Sequence, residues 1–334
     1  MDPSHPQIAV AKQAKTEQEM TPIPSIKLNT GASIPAIGFG TGVSAYDSAT
    51  LEASEKWTLT GLEAGYKHID TAALYRTEPY VGKALRAAGV KREEMFITTK
   101  LPPHHQVYVE RSFNDSLSNL GVDYVDLYLI HWPQNLAYPG GYEAPDTLVG
   151  LFTEFQVLAT PTFNDTWAEF ERLHASGRAR AIGVSNFSIK TLEELFTTAK
   201  IVPAVNQIEI HPYLVQTELV EYCQKKGIVV EAYTPTGREV VRDDPVIVAL
   251  AAKYKATTTQ VILAWHLARG IVAIPGSTNV ERQKQNLDLP TLSAEDVASI
   301  TALDRGQRVL ARLMPDNTLI GWSAERLGWE KNKE

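Results

Sequence analysis

The sequence contains one cysteine, Cys223, among its 334 residues. A single thiol excludes an intrachain disulfide and any zinc site built on several thiolates, and it gives no sign of an oxidising compartment. Apolar runs are also short, since the longest, residues 246–252, falls far below the roughly 20 residues of a membrane-spanning helix. The sequence therefore predicts a cytoplasmic protein without a membrane partner.

Positive charge is scarce as well. The 32 basic residues stand against 39 acidic ones, so the formal net charge is −7. No basic block supplies the electrostatic footprint that binding to a phosphate backbone needs, and we expect no nucleic-acid partner. Residues 1–20 are polar, lack the apolar core of a signal peptide, and are interpreted as a flexible N-terminal arm.

Short apolar, β-branched runs alternate with helical patterns along the chain. Eight runs predict strands at residues 36–39, 66–70, 95–99, 124–130, 181–184, 204–208, 228–233 and 271–275. Most are continuous rather than alternating, which is typical of strands buried on both faces of a parallel sheet. Before them, extended segments around Asn29-Thr30-Gly31 predict an N-terminal β-hairpin. Glycines such as Gly65 and Gly121 stand where left-handed helix caps belong.

The arrangement of these strands has two candidate solutions. A dinucleotide-binding open sheet would need a Gly-x-Gly-x-x-Gly fingerprint, but Gly38-Phe39-Gly40 is followed by Val43 where the third glycine belongs. Eight strands without an internal linker favour a single (β/α)8 TIM barrel of the α/β class over residues 21–310. Residues 132–165 are too long for a connecting turn and predict a substrate loop, and residues 311–334 form a C-terminal tail.

Polar residues stand at the ends of the predicted strands, which is the rim where reacting groups of such barrels meet. They are Asp70, Tyr75, Lys100, His131, Ser185, Asn186, Gln207, Glu209 and Tyr233. Each has a plain structural alternative, because an acid can cap a helix, a lysine can be a solvated charge and a histidine can be a packing residue. Together, Asp, Lys, Tyr and His make a proton-donating centre in which a neighbouring ammonium should lower the pKa of the tyrosine.

Five strings occur in this region in a fixed order: HIDTAALY at residues 68–75, ITTK at 97–100, LIHWP at 129–133, IGVSNF at 182–187 and NQIEIHP at 206–212. Together they resemble the aldo-keto reductase family over about residues 25–310. The asparagine that the family usually has before Glu78 is Thr77 here. The resemblance implies a barrel that binds NADPH without a Rossmann domain and reduces an aldehyde or ketone, such as an aldose or a small hydroxy-aldehyde, to the alcohol.

The resemblance also implies residue roles. Tyr75 would be the general acid, and Lys100 would lower its pKa while Asp70 positions Lys100. His131 would orient the substrate carbonyl, with Trp132 also contacting the substrate. No metal is implied.

For the cofactor, the resemblance implies that Ser185, Asn186 and Gln207 hold the carboxamide and that Tyr233 stacks on the nicotinamide. The other implied cofactor contacts are Thr41, Asp70, Thr234, Pro235, Thr236, Ser277, Thr278, Arg282, Gln285 and Asn286. Gly276 replaces the lysine usual at the eighth strand, so one cation for the 2′-phosphate is missing. Arg282 offers a bidentate fork to phosphate and favours NADPH over NADH, although it could instead be a surface helix residue.

The substrate pocket departs from the family too. Gly42 and Pro102 stand near positions where the family often has tryptophan. We hypothesise that the long loop and the tail refill this space with Tyr138, Tyr142, Phe152, Phe155, Trp322 and Trp329. His104 and His105 are interpreted as surface groups rather than metal ligands.

Two alternatives to a reductase remain. The same motifs would serve a polyol or glycerol dehydrogenase running in the oxidising direction. The chain could also be a regulatory subunit that senses nicotinamide nucleotides, although the intact Asp70, Tyr75, Lys100 and His131 argue against it. A monomer is the expectation that follows from the family.

Overall fold

A parallel sheet of eight strands dominates the fold. The computed structural model of the chain describes residues 23–43, 45–143 and 153–329, so the predicted N-terminal arm lies outside the described residues. The strands within them are β1 Ser25–Lys27, β2 Ser33–Pro35, β3 Phe39–Gly40, β4 His68–Asp70, β5 Phe96–Leu101, β6 Leu127–Ile130, β7 Asn135–Ala137, β8 Gln156–Leu158, β9 Ile182–Ser185, β10 Val205–Glu209, β11 Val229–Tyr233, β12 Val272–Ala273, β13 Thr318–Leu319 and β14 Trp322–Ser323.

The large sheet closes into a barrel. Strands β3, β4, β5, β6, β9, β10, β11 and β12 are neighbours in that order, and every pairing is parallel. The first and last strands meet where Gly38 N donates to Ala273 O at 2.9 Å and Ala273 N donates to Ala36 O at 2.9 Å. A bridge between Ile37 and Ala273 completes this seam. The predicted (β/α)8 barrel is confirmed.

Helices follow the strands in sequence. They are α1 Ser48–Ala64, α2 Glu78–Ala87, α3 Val109–Leu120, α4 Phe163–Ala175, α5 Ile189–Leu195, α6 Thr217–Lys225, α7 Arg238–Arg242, α8 Pro245–Tyr254, α9 Thr258–Ala268, α10 Val280–Gln285, α11 Ala294–Thr301 and α12 Ala324–Leu327. Gly65 and Gly121 cap α1 and α3 with φ of 108° and 69°, as predicted, in a region that favours glycine. No single helix of the described residues is long and apolar enough to cross a membrane, but α8 and α9, bent by 91°, meet those criteria as a pair.

The N-terminal hairpin closes one end of the barrel. Strands β1 and β2 pair antiparallel, with Ser25 opposite Pro35, as the turn signal predicted. Leu28 and Ile34 pack in one buried cluster with Leu127 and other residues at the beginnings of the barrel strands. The hairpin therefore covers the amino ends of the strands and leaves the carboxyl ends for a site.

The long loop and the C-terminal tail pack on each other. Strand β7 pairs with β8, and β13 pairs with β14, both antiparallel. Leu136 and Tyr138 of the loop share an apolar cluster with Leu313 and Leu319 of the tail. Gln134 Nε2 also donates to Leu319 O at 3.0 Å. The described part of the tail, residues 311–329, thus belongs to the folded unit, and the division at residue 310 stays a prediction.

Glu209, at the end of β10, anchors the start of the tail. Its Oε1 accepts hydrogen bonds from Val309 N at 2.6 Å and Leu310 N at 2.9 Å, and its Oε2 accepts from Ala311 N at 2.9 Å. His211 Nε2 lies 3.2 Å from Oε1. Burial raises the pKa of Glu209, but the hydrogen bonds from His211 and the tail outweigh it and lower the pKa to about 2.

We expect Glu209→Gln to destabilise the fold at neutral pH by about 3 kcal/mol, the free energy that corresponds to lowering the pKa from 4.5 to about 2. Because the folded-state pKa lies below the unfolded value, this stability is present above about pH 4.5 and is lost as the pH falls toward 2. Urea unfolding at neutral pH and near pH 3 measures it. Glu218→Gln, on the exposed side of α6, is the control, and an equal stability gap at both pH values would contradict the assignment.

Candidate active site

The carboxyl ends of neighbouring barrel strands bring four predicted side chains together. Asp70 is the last residue of β4, and Tyr75 ends the 3-10 turn Ala73–Tyr75 that follows it. His131 directly follows β6. Lys100 lies inside β5 rather than after it, because this strand runs to Leu101 instead of ending at residue 99.

A buried ion pair forms the centre of the site. Lys100 Nζ donates to Asp70 Oδ1 at 2.6 Å and to Thr71 O at 2.9 Å. The Tyr75 hydroxyl lies 3.4 Å from Nζ, and the Tyr75 ring centroid lies 4.8 Å from it. Asp70 Oδ2 accepts from Gln207 Nε2 at 2.7 Å. The carboxylate therefore holds the ammonium beside the phenol hydroxyl.

Burial sets the ionisation of this group. Burial raises the pKa of Tyr75 above its usual value, and the ammonium of Lys100 lowers it only in part. The expected net lowering of the Tyr75 pKa is therefore wrong, since the cost of burying a phenolate exceeds the attraction of the cation. Burial lowers the pKa of Lys100, but Asp70 and then Tyr75 outweigh it and raise the pKa, so the ammonium stays charged.

His131 faces the ring of Tyr75. The two ring centroids are 5.5 Å apart in an edge-to-face arrangement. The carbonyl of His131 accepts from Asn186 Nδ2 at 3.0 Å, which fixes its backbone. Burial, followed by the charge of Lys100, lowers the pKa of His131 well below its usual value, so the imidazole is neutral. Its Nδ1 is buried and has no hydrogen-bond partner among the described residues.

Two buried groups next to the ion pair were missed by the sequence reasoning. Glu231 Oε2 accepts from Gln207 Nε2 at 2.7 Å, and Glu231 Oε1 lies 3.5 Å from His68 Nε2. Burial, and then the charge of Asp70, raises the pKa of Glu231 to about 8. Burial lowers the pKa of His68 to about 3. For Glu231 the available signal was a single acidic residue within the otherwise continuous predicted strand at residues 228–233. No such signal marked His68, because its predicted strand also contains Lys67 and Asp70.

The ends of β9 and β11 are joined by side-chain hydrogen bonds. Tyr233 Oη donates to Asn186 Oδ1 at 2.7 Å, and Asn186 Nδ2 donates to Ser185 Oγ at 3.1 Å. Asn186 and Thr234 have φ of 65° and 48°, a left-handed conformation that is uncommon for residues with a side chain. Such backbone strain clusters at ligand sites. Ser185 pairs in register with Gln207, so all of these groups adjoin the ion pair.

Other predicted cofactor contacts lie in loops that are fixed by hydrogen bonds within the protein. Thr41, after β3, is buried and donates through Oγ1 to Asp70 O at 3.1 Å. Pro235 and Thr236 follow Thr234, and Pro235 O lies 2.9 Å from His266 Nε2. These contacts fix the loops after β3 and β11 on either side of the strand ends.

A separate group lies after β12. Its predicted members are Ser277, Thr278, Arg282, Gln285 and Asn286. Arg282 is exposed on α10, and its Nε lies 3.5 Å from Ser277 Oγ. Gln283, which the sequence reasoning missed, is buried, and its Nε2 donates to Ser277 O at 2.8 Å and to Trp57 O at 2.9 Å. Gln283 thus connects this loop to α1 through hydrogen bonds. The neighbouring Arg282 guanidinium faces outward.

An aromatic wall stands beside His131. The rings of Trp132 and Trp329, from the tail, are 6.2 Å apart between centroids. Trp322 packs instead against Phe163, at 6.4 Å. Of the two tail indoles, the structure therefore brings only Trp329 to Trp132. Phe152, also expected here, lies outside the described residues.

His104 and His105 are buried, and the expectation that they are surface groups is wrong. The long loop covers them: the rings of His105 and Tyr142 stack at 4.0 Å, and His104 lies 5.0 Å from the ring of Tyr138. His105 Nδ1 lies 2.8 Å from Ser112 Oγ. Burial lowers the pKa of His104 to about 3 and that of His105 to about 4, so both are neutral. In the part of the chain that the structure describes, no three histidine, cysteine or acidic side chains come together as metal ligands.

Comparison with known proteins decides the family. The sequence profile of the aldo/keto reductase family matches residues 36–305. The chain belongs to the aldo/keto reductase family. It is 42% identical to glycerol 2-dehydrogenase (NADP(+)) of Saccharomyces cerevisiae, over 84% of this chain and 90% of that protein. It is 41% identical to aldehyde reductase YPR1 of the same yeast, over 84% and 91%.

Solved structures agree. The aldo-keto reductase AKR2E5 of the silkworm Bombyx mori, in its complex with NADPH, superposes with a TM-score of 0.77 and 35% identity over 87% of this chain and 90% of that chain. The predicted family and barrel of this aldo/keto reductase are confirmed. The roles of its individual site residues stay predictions.

We expect Lys100→Met to destabilise this aldo/keto reductase by about 3–5 kcal/mol, because it leaves the Asp70 carboxylate buried without a cation. The double variant Lys100→Met with Asp70→Leu should be less destabilised than the sum of the two single variants, since it removes both charges. Urea unfolding of the four proteins gives the coupling free energy. Simple additivity of the two changes would show that the pair does not interact as described.

Proposed function

We propose that this protein transfers a hydride from NADPH to the carbonyl carbon of an aldehyde or ketone, with Tyr75 donating the proton to the carbonyl oxygen. One observation carries this proposal: the buried Lys100–Asp70 pair holds a charged ammonium 3.4 Å from the Tyr75 hydroxyl. The family and the NADP-dependent names of its relatives support carbonyl reduction.

Tyr75 is suited to donate a proton. Because burial raises its pKa, the hydroxyl is protonated at neutral pH and the acid is present when substrate binds. As the proton leaves, negative charge develops on the phenol oxygen beside Lys100 Nζ. The ammonium is already in place, so it stabilises this charge without a reorganisation of the site.

His131 positions the substrate. Its neutral imidazole can donate a hydrogen bond to a carbonyl oxygen without adding a second cation beside Lys100. The edge-to-face contact with Tyr75 would bring that oxygen between the two side chains. Trp132 and Trp329 would contact the rest of the substrate, so the tail would contribute to specificity.

The residues present fit NADPH, which supplies the hydride when it is bound. Ser185, Asn186 and Gln207 would hold the carboxamide, and Tyr233 would stack on the nicotinamide ring. Between its nicotinamide and its adenosine, the cofactor would contact Thr41, Thr234, Pro235 and Thr236. At the adenosine end, contacts would come from Ser277, Thr278, Arg282, Gln285 and Asn286. Arg282 exposes a guanidinium beside the Ser277 hydroxyl, a pair suited to a 2′-phosphate.

Oxidation of a polyol is the second candidate. It is favoured by the similarity to two glycerol 2-dehydrogenases, of Saccharomyces cerevisiae and Hypocrea jecorina, at 42% and 41% identity. The same side chains serve both directions, since Tyr75 would then accept the proton of the alcohol. The ratio of reduced to oxidised cofactor would decide the direction.

We also propose that the enzyme acts as a cytoplasmic monomer on small molecules, without a nucleic-acid or membrane partner. The net charge of −7 and the single cysteine support this part of the proposal. A purely regulatory role is less well supported, because the complete group of Asp70, Tyr75, Lys100 and His131 is built for proton transfer.

Tyr75→Phe should lower turnover about 100-fold or more, the range expected when a general acid is removed, while NADPH affinity is unchanged. The measurement is loss of NADPH absorbance with a panel of aldehydes, ketones and aldoses. Tyr80→Phe, which removes a hydroxyl on α2 outside the site, is the matched control. Full activity of the Tyr75 variant would rule out the proposed acid.

Arg282→Ala should reduce the preference for NADPH over NADH about tenfold, because a charge-assisted contact with the 2′-phosphate is lost. Dissociation constants for both cofactors, from quenching of tryptophan fluorescence, give the preference. Lys284→Ala removes an exposed cation from the same helix and should leave the ratio unchanged. Equal effects of the two substitutions would indicate general charge rather than a phosphate contact.

A further inference from the structure

Glu231 has no place in the proton transfer described above, although it is completely buried in the barrel. It lies in register with Gln207 on the neighbouring strand. Its Oε2 accepts a hydrogen bond from Gln207 Nε2 at 2.7 Å. The same nitrogen donates to Asp70 Oδ2, also at 2.7 Å. The amide nitrogen of Gln207 therefore lies between two buried carboxyl groups.

This arrangement fixes the Gln207 amide in one orientation. A side-chain NH₂ has two hydrogens, and here each is donated to a different carboxyl group. The flipped amide would place its oxygen against the Asp70 carboxylate and would leave Asp70 Oδ2 without the hydrogen bond from Gln207, which is unfavourable in a buried site. The Gln207 oxygen, Oε1, therefore lies on the side away from the two acids. Among the described residues no group donates to it, and it is not one of the atoms sealed from solvent without a partner.

We propose that Glu231 is a positioning residue that, with Asp70, holds Gln207 so that its amide oxygen accepts a hydrogen bond from the carboxamide NH₂ of the cofactor. The inference rests on the proposed function. It adds a physical reason why the Gln207 side chain would meet the cofactor with its amide oxygen. With both Gln207 hydrogens engaged, the residue presents only an acceptor to the cofactor. If Glu231 were apolar, the second hydrogen could turn toward the cofactor and the acceptor would no longer be fixed.

The role needs a hydrogen-bond acceptor at position 231 rather than a charge. A protonated carboxyl group and a carboxamide both keep an oxygen that can accept from Gln207. His68 lies 3.5 Å from Glu231 Oε1 and is neutral, because burial lowers its pKa to about 3, so no buried ion pair with His68 is lost when Glu231 is neutral. Glu231→Gln should therefore preserve the orientation, whereas Glu231→Met, of similar volume, should not.

The test compares NADP⁺ with its 3-acetylpyridine analogue, in which a methyl group replaces the carboxamide NH₂. Dissociation constants by calorimetry, with no substrate present, report this contact without turnover. For the wild type we expect NADP⁺ to bind roughly three- to tenfold more tightly, the range for one hydrogen bond. We expect Glu231→Gln to keep that ratio and Glu231→Met to bring it to within about twofold of unity.

Glu78→Met is the matched control. Glu78 is also buried and accepts from Thr99 Oγ1 at 2.6 Å, but it does not contact Gln207, so its loss should leave the ratio unchanged. Thermal melting checks that each variant is folded, and Glu231→Val replaces Glu231→Met if the latter is not. A wild-type ratio in the apolar variant, or its loss in Glu231→Gln, overturns the inference. If the folded wild type binds no NADP⁺, the proposed function fails first, and the inference fails with it.

Discussion

Burying the ammonium of Lys100 costs several kcal/mol unless a carboxylate lies against it, and Asp70 provides that carboxylate at 2.6 Å. The pair is possible only because β4 and β5 are parallel neighbours whose carboxyl ends lie side by side. Once formed, it determines the ionisation of the groups around it. It opposes the effect of burial on Tyr75, helps to keep His131 neutral and draws the amide of Gln207 toward Asp70. The ionisation of the site thus depends on the balance between the charges of Lys100 and Asp70 inside the barrel.

That balance includes more groups than the four that carry the proposed proton transfer. Glu231 adds a second carboxyl group near a single ammonium, and the structure accommodates it through a raised pKa and the hydrogen bond from Gln207. Farther out, Glu209 uses its carboxylate for backbone N–H groups of the tail instead. These two acids lie on neighbouring strands of the same sheet, β10 and β11, and have different roles, because Glu231 points to the ion pair and Glu209 points to the tail.

Much of the site followed from local patterns. Strands that are buried on both faces appear in the sequence as continuous apolar runs. When the sheet is parallel and closed, the residues at the carboxyl ends of these strands meet on one rim. This reasoning identified Asp70, Tyr75, Lys100 and His131. It placed His104 and His105 wrongly, because their burial depends on a loop that returns over them from a distant part of the chain. It also gave the wrong sign for the Tyr75 pKa, since the cost of burial is not visible in a motif.

The sequence by itself determined the family, the barrel and the identity of the polar residues at the strand ends, because strand burial and motif order are properties of local chain segments. Only the tertiary structure decided which of these residues touch, that Trp329 rather than Trp322 reaches Trp132, and that Gln207 lies between two acids. Those outcomes depend on contacts between segments far apart in the chain, such as Gln207 and Asp70. Desolvation and hydrogen bonding at such contacts are set by the packed fold as a whole, so no single segment encodes them.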